Sequence, residues 1–124
     1  MIAADTSAWI DFSKAVKSTA SLQLEAALAD GALMMPMPVL FEVLSGPGLT
    51  SEAKGLISEL PKLALLPGFW ERAGDLRRRI LKKGLKARGR DCLIAQNCID
   101  HKVGLIAADD DFRPFAKEGL KLVG

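Results

Sequence analysis

The sequence predicts an α/β domain built on a largely parallel sheet. Three observations predict it. Short apolar runs alternate with amphipathic stretches along the chain, the pattern of strands joined through crossover helices. Acidic residues follow directly on two of the apolar runs, where an open parallel sheet places its sites. The composition, 49% apolar and 26% charged in 124 residues, is that of a single folded domain spanning 1–124, able to bury about two-thirds of its unfolded surface.

The elements follow in order. Residues 2–4 read as a first strand, ended by Asp5-Thr6-Ser7, three helix N-cap types that introduce a short helix over 8–16. Residues 21–30 are amphipathic through Leu22, Ala26 and Ala29, and Gly31 stops them. A second strand covers 32–35. Pro36 and Pro38 fit the first turn of a helix over 36–45, closed by Gly46-Pro47-Gly48. A helix over 51–60 precedes a short strand at 63–66. Phe69, Ala73, Leu76 and Ile80 lie on one face of a helix over 69–83. Residues 84–89 form a basic loop. A helix over 90–102, a strand over 105–108, a helix over 112–118 and a strand over 120–123 complete the chain.

Several classes are excluded. Cys92 and Cys98 share one helical stretch, ~9 Å apart along its axis and beyond disulfide reach. With His101 as the one histidine, there is no Cys/His zinc set and no Cys–His catalytic pair. The longest apolar run, 32–41, is ten residues with two prolines, too short to span a bilayer. The first basic residue is Lys14, so no signal peptide is expected. A soluble cytoplasmic domain without membrane contact is the expectation.

Charge is distributed unevenly. The net charge is +2, but residues 72–90 hold nine Lys or Arg and one acid, leaving −6 for the remainder. The basic segment suits phosphate contact. Arg77, Arg78 and Arg79 are consecutive on a helix, so they cannot all face one way.

The acids gather at one edge of the expected sheet. Asp5 follows the first strand, Asp109, Asp110 and Asp111 follow the strand ending at Ala108, and Asp91 opens the helix leading into that strand. Asp5 and Asp111 also suit N-caps, and Asp91 a first-turn acid. Glu42 is the one charged residue in the segment 36–45, expected as a buried apolar helix. Carboxylates brought together repel unless their pKa values rise or a hard cation holds them. Mg²⁺ and Mn²⁺ prefer oxygen ligands. Such a site suits phosphodiester hydrolysis by metal-activated water.

Asp5-Thr6-Ser7 after a first strand, Glu42 in a Pro-started helix, Asp91-Cys92-Leu93-Ile94-Ala95 and the run from Leu105 to Phe112 resemble the PIN-domain nucleases. Length and the bare domain look most like VapC toxins of type II toxin–antitoxin pairs. The resemblance implies a three-layer α/β/α sandwich with about five mainly parallel strands. It implies that Asp5, Glu42, Asp91 and Asp109 are catalytic and bind Mg²⁺ or Mn²⁺, with Asp111 a further acid and Asp110 an alternative in a shifted register. Thr6 and Ser7 match the polar pair that supports the first Asp. The implied reaction is endonucleolytic cleavage of RNA, tRNA or rRNA being the implied targets. The implied partners are a VapB-like antitoxin and a second copy in a homodimer. The family often has Thr or Ser two residues before the fourth acid, where this chain has Ala107. By position, Lys86, Arg88 and Arg90 are the candidates for the RNA backbone. Trp9, Phe41, Phe69 and Trp70 are expected in the core or a dimer contact.

Two other readings predict differently. A catalytically inactive PIN-like module would bind RNA or protein without cleaving, and Ala107 is the feature that favours it. A receiver-like phosphoacceptor domain needs an acid doublet near the start and an Asp after the third strand, and this chain has neither.

Overall fold

Four strands, β1 (Ile2–Ala4), β2 (Leu33–Pro36), β3 (Lys62–Leu63) and β4 (Gly104–Ile106), form a parallel sheet in the order β3-β2-β1-β4. They are seen in a computed structural model that describes residues 1–123; Gly124, the end of the expected domain, lies outside the described residues. In register, Ile2 stands opposite Leu33 and Gly104, and Pro36 opposite Leu63. The first strand is thus central. Its Ala3 and Ala4 are fully buried, and such small side chains let helices approach both faces.

Seven α-helices are described: α1 (Thr6–Ser13), α2 (Thr19–Ala29), α3 (Met37–Leu44), α4 (Ser51–Glu59), α5 (Phe69–Lys82), α6 (Gly89–His101) and α7 (Arg113–Ala116). A 3₁₀ turn, Asp110–Phe112, precedes the last. The helices α1 and α2 pack together, α6 is backed by α5, and α3 touches both α1 and α6. The starts follow local chemistry. Asp5 caps α1, Ser18 and Ser21 form a reciprocal capping box on α2, and Thr50 caps α4. Gly68 enters α5 at φ +82°, a conformation that disfavours a β-carbon.

The core is built from Leu24, Leu33, Met35, Val39, Ile57, Leu63, Leu76, Ile80, Ile94, Leu105, Ile106 and Phe115, all essentially inaccessible. Both cysteines are free and buried, and burial pushes the Cys92 thiol to about 11 and the Cys98 thiol to about 12. Neither is a ready thiolate.

The α/β class and the parallel sheet are as expected, but four details differ. The expected strand over 120–123 is a single bridge, Leu105 to Leu122, held by two backbone hydrogen bonds at 2.7 and 2.9 Å. Gly119 at φ +108° leaves only a few residues to run beside β4. The strand expected at 63–66 ends at Leu63, because side chains take the next carbonyls: Asn97 bonds that of Leu63 and His101 that of Ala64. The expected helix over 112–118 is shorter, running from Arg113 to Ala116, and is preceded by a 3₁₀ turn that Asp109 caps. The helix α3 is not buried all round. Val39 is its one fully buried residue, while Phe41 is 73% exposed and Leu44 is exposed too. Trp9 and Phe69 are core residues, whereas Trp70, 62% exposed, is not.

Candidate active site

Every candidate acid lies at the carboxyl edge of the sheet. Asp5 is the best fixed of them. As N-cap of α1, its Oδ1 accepts from the Ala8 N–H at 2.8 Å. Its Oδ2 accepts from the Ala108 N–H at 3.0 Å, across 103 residues of sequence. The Asp5 N–H in turn donates to the Ile106 carbonyl at 2.9 Å. The carboxylate therefore ties the start of α1 to the end of β4, and it is only 2% exposed. No ion pair among the described residues involves it. Burial pushes its pKa from 3.8 up to about 6; the backbone N–H bonds oppose this and the nearby negative charge of Asp109 adds to it.

Asp91 stands in the first turn of α6 and is buried. Burial is the main cause of its raised pKa; Arg90 opposes it, and Asp111 and Asp109 add to it. Asp109 ends the β4 loop, with its Oδ1 accepting from the Asp111 N–H at 3.0 Å. Asp109 thus lies close enough for its charge to act on both Asp5 and Asp91, and Asp111 acts on Asp91. Asp110 faces outward, paired at 3.4 Å with Arg113.

Glu42 reaches this edge from α3. Its Oε1 accepts from the Thr6 hydroxyl at 2.7 Å and its Oε2 from Arg90 at 3.1 Å. Thr6 therefore supports Glu42, not Asp5, whose two bonds come from backbone. The side chain of Ser7 is exposed and makes no hydrogen bond among the described residues, so the expected Thr-Ser support of Asp5 is replaced by two N–H groups.

The basic loop folds back over the acids. Lys86 Nζ lies 3.3 Å and Arg88 Nη1 4.0 Å from Asp111 Oδ2, while Arg90 pairs with Glu42. The rest of the basic run is used elsewhere. Arg77 bonds the Ala87 carbonyl, Arg78 pairs with Asp75, and Arg79 with Glu118; the three consecutive arginines do point three ways.

Asn97 is a residue that sequence reasoning missed. It is fully buried on α6. Its Oδ1 accepts from the Met37 N–H at 2.9 Å and its Nδ2 donates to the Leu63 carbonyl at 3.1 Å. Pro36 offers α3 no side-chain cap, so Asn97 serves the first N–H of that helix from across the fold and thereby seats the helix that carries Glu42. The available signal was an amide pair, Gln96-Asn97, inside a helix otherwise apolar on its inner face.

The donor set is all oxygen, the chemistry Mg²⁺ and Mn²⁺ select. A desolvated carboxylate with no cationic partner, within reach of the Asp109 charge, fits such an ion. In the arrangement seen, Glu42 and Asp111 are engaged by arginine and lysine, and among the described residues no three acids stand close enough to hold an ion jointly. No described helix is long and apolar enough to cross a membrane.

A PIN-domain family model matches residues 2–118. Among curated proteins, VapC ribonuclease Mb1587 of Mycobacterium bovis and ribonuclease VapC11 of Mycobacterium tuberculosis are each 30% identical over 124 residues, covering 94% of this chain and 92% of the relative. Among solved structures, VapBC2 from Rickettsia felis, bound to a DNA fragment from its promoter, has a similar fold. Its TM-score is 0.68 at 19% identity, over 99% of this chain and 98% of the other.

Proposed function

The chain belongs to the PIN-domain family, with VapC ribonucleases among its relatives, and from that premise we propose that it is an endoribonuclease toxin neutralised by a VapB-like antitoxin. The reaction is hydrolysis of RNA phosphodiesters, leaving a 5′-phosphate and a 3′-hydroxyl. Asp5, Asp91, Asp109 and Glu42 are the residues that would hold Mg²⁺ or Mn²⁺, with Asp111 as a further donor. The bound cation supplies a water of lowered pKa and neutralises charge that develops on the phosphate.

The observation that carries this reading is Asp5, a buried carboxylate clamped by two backbone N–H groups with no cation beside it. A structural N-cap needs one such bond and no burial. The two N–H groups fix its position before any ligand arrives, which is what a ligand-holding residue requires. Thr6 aims Glu42 at the same edge. Lys86, Arg88 and Arg90 hold the RNA backbone, and their ion pairs with Asp111 and Glu42 keep them at the site meanwhile. The exposed Phe41 and Leu44 on α3 leave apolar surface that a second copy would cover, which supports a homodimer.

The test is incubation of purified, partner-free protein with total bacterial RNA in Mg²⁺ or Mn²⁺, with mapping of new 5′ ends. Discrete 5′-phosphate ends, absent with EDTA and with Asp5→Asn, are expected. Intact RNA beside folded protein would transfer the weight to a non-catalytic RNA- or protein-binding module.

A further inference from the structure

A polar cleft of about 400 Å³ lies between the corner of α1 and α2 and the end of β4. Asp11, Thr19, Gln23, Ala107 and Ala108 are among the residues that line it. Its size falls within the ~300–1,000 Å³ of small-ligand sites. It adjoins the acidic site directly: the Ala108 N–H is one of the two donors to Asp5, and Asp109 is the next residue. The side chains of Asp11, Thr19 and Gln23 make no hydrogen bond or ion pair among the described residues, although Asp11 and Gln23 are half-buried. The N–H groups of Thr19 and Ala20 open α2, where a helix has no internal carbonyl to receive them. Ser18 is already spent on the Ser21 N–H.

We infer that this cleft is a base-reading subsite for a guanine flanking the cleaved phosphodiester; this rests on the ribonuclease reading above. Sequence-specific RNA recognition reads unstacked bases along their Watson–Crick edges. The edge of guanine presents two adjacent donors, N1–H and N2–H, and a carboxylate accepts two parallel bonds. Adenine and cytosine each set an acceptor beside a single donor, and uracil flanks its donor with two acceptors, so each meets Asp11 with repulsion. The guanine O6 next to N1 is an acceptor, and the Gln23 amide and the first-turn N–H groups of α2 are the donors on that side. Ala107 and Ala108 bring only methyl side chains to the cleft, and position 107 carries no hydroxyl.

The test uses matched RNA oligomers that carry guanine, inosine or adenine beside the mapped cleavage position. Inosine lacks only the N2 amino group. The wild-type protein is expected to lose about 10- to 100-fold in kcat/KM from guanine to adenine, with inosine between. Asp11→Asn replaces one acceptor by a donor and brings the guanine-to-inosine ratio close to 1. Gln23→Met, which keeps length and helix propensity, lowers the guanine-to-adenine ratio without touching the inosine effect. Binding of the same oligomers to the Asp5→Asn protein by fluorescence anisotropy repeats the comparison without cleavage. Wild-type cleavage with no discrimination, or discrimination unchanged in Asp11→Asn, overturns the subsite and leaves the ribonuclease standing. Discrimination unchanged with a weakened antitoxin complex reassigns the cleft to the protein partner. No cleavage by folded, metal-supplied protein overturns both readings.

Discussion

Asp5→Asn tests whether a buried carboxylate is held against its own folding cost. In the native protein its pKa stands at about 6, against 3.8 for the exposed residue. Between those values the native state binds a proton that the unfolded chain does not, so stability falls as pH rises through this window. At about 1.4 kcal/mol per pKa unit, ionised Asp5 costs the fold about 3 kcal/mol by pH 7. At 2% exposure, little solvent screening discounts this. Asparagine is a neutral near-isostere that carries no titrating proton, so this slope disappears in the variant, whatever fixed cost it bears from facing the Ala108 N–H with an amide. The assay is urea unfolding of both proteins in EDTA from pH 4 to pH 7.5. The wild-type stability should fall relative to the variant by about 2.5 kcal/mol across the range, the rest of the cost falling below pH 4. Adding Mn²⁺ at pH 7.5 should raise wild-type stability with concentration, as a ligand of the native state must, and leave the variant unmoved. A difference flat with pH would refute the desolvation argument, and a wild-type protein indifferent to Mn²⁺ would remove Asp5 from any metal site.

Further outcomes follow from named contacts. Thr6→Val removes the hydroxyl that orients Glu42, and kcat should fall about tenfold with thermal stability within about 0.5 kcal/mol of wild type, read by initial rates and by calorimetry. Asn97→Ala leaves the Met37 N–H and the Leu63 carbonyl unpaired in a buried site, costing about 2–4 kcal/mol in urea unfolding. Asp100→Asn breaks the paired bonds from Arg72 at 3.0 and 2.6 Å. These bonds hold the Asp100 pKa below 3.8 despite its burial, so the native state gains stability above that pH and loses it on acidification. The variant should unfold at lower temperature at pH 7, with the gap closing toward pH 2. Phe41→Asp charges the most exposed apolar residue of α3 and should shift a homodimer to monomer in light scattering, with circular dichroism unchanged.

The fold was legible where it rests on periodicity and local chemistry. Alternating strands and helices, the cap at Asp5 and the glycine stops are all decided within a few residues of sequence; the caps at Ser18 and Thr50 are equally local but went unread. The misreadings have a common cause in long-range competition for backbone groups. Leu63-Ala64-Leu65-Leu66 has strand-like composition, but the Leu63 and Ala64 carbonyls are claimed by Asn97 and His101 from α6, and pairing stops. Residues 120–123 pair at one point because β4 offers only a short edge after Gly119. Helix α3 illustrates a different limit. An all-apolar segment implies burial, but it does not say whether its own domain supplies the cover. Here Phe41 and Leu44 remain open.

The site was legible in its acids and illegible in its supports, and the reason is physical. Side chains that carry charge announce themselves in a sequence, and their order along a parallel sheet brings them to one edge. What fixes them does not announce itself. Asp5 is held by the Ala8 N–H, the bond its N-cap position predicts, and by the Ala108 N–H, a donor that every residue but proline carries, so no residue type could have pointed to the second. The hydroxyl pair beside Asp5 suggested the wrong beneficiary: helical geometry turns Thr6 across to Glu42 and Ser7 to solvent. Ala107 is reinterpreted for the same reason. The missing hydroxyl two residues before Asp109 is the feature that favours a catalytically inactive module. Asp5 draws its support at that strand end from the Ala108 N–H, which no change of side chain at position 107 removes. Ala107 therefore leaves the anchoring of Asp5 intact and lines the adjoining cleft, so its effect should be found in the choice of base before it is found in the rate.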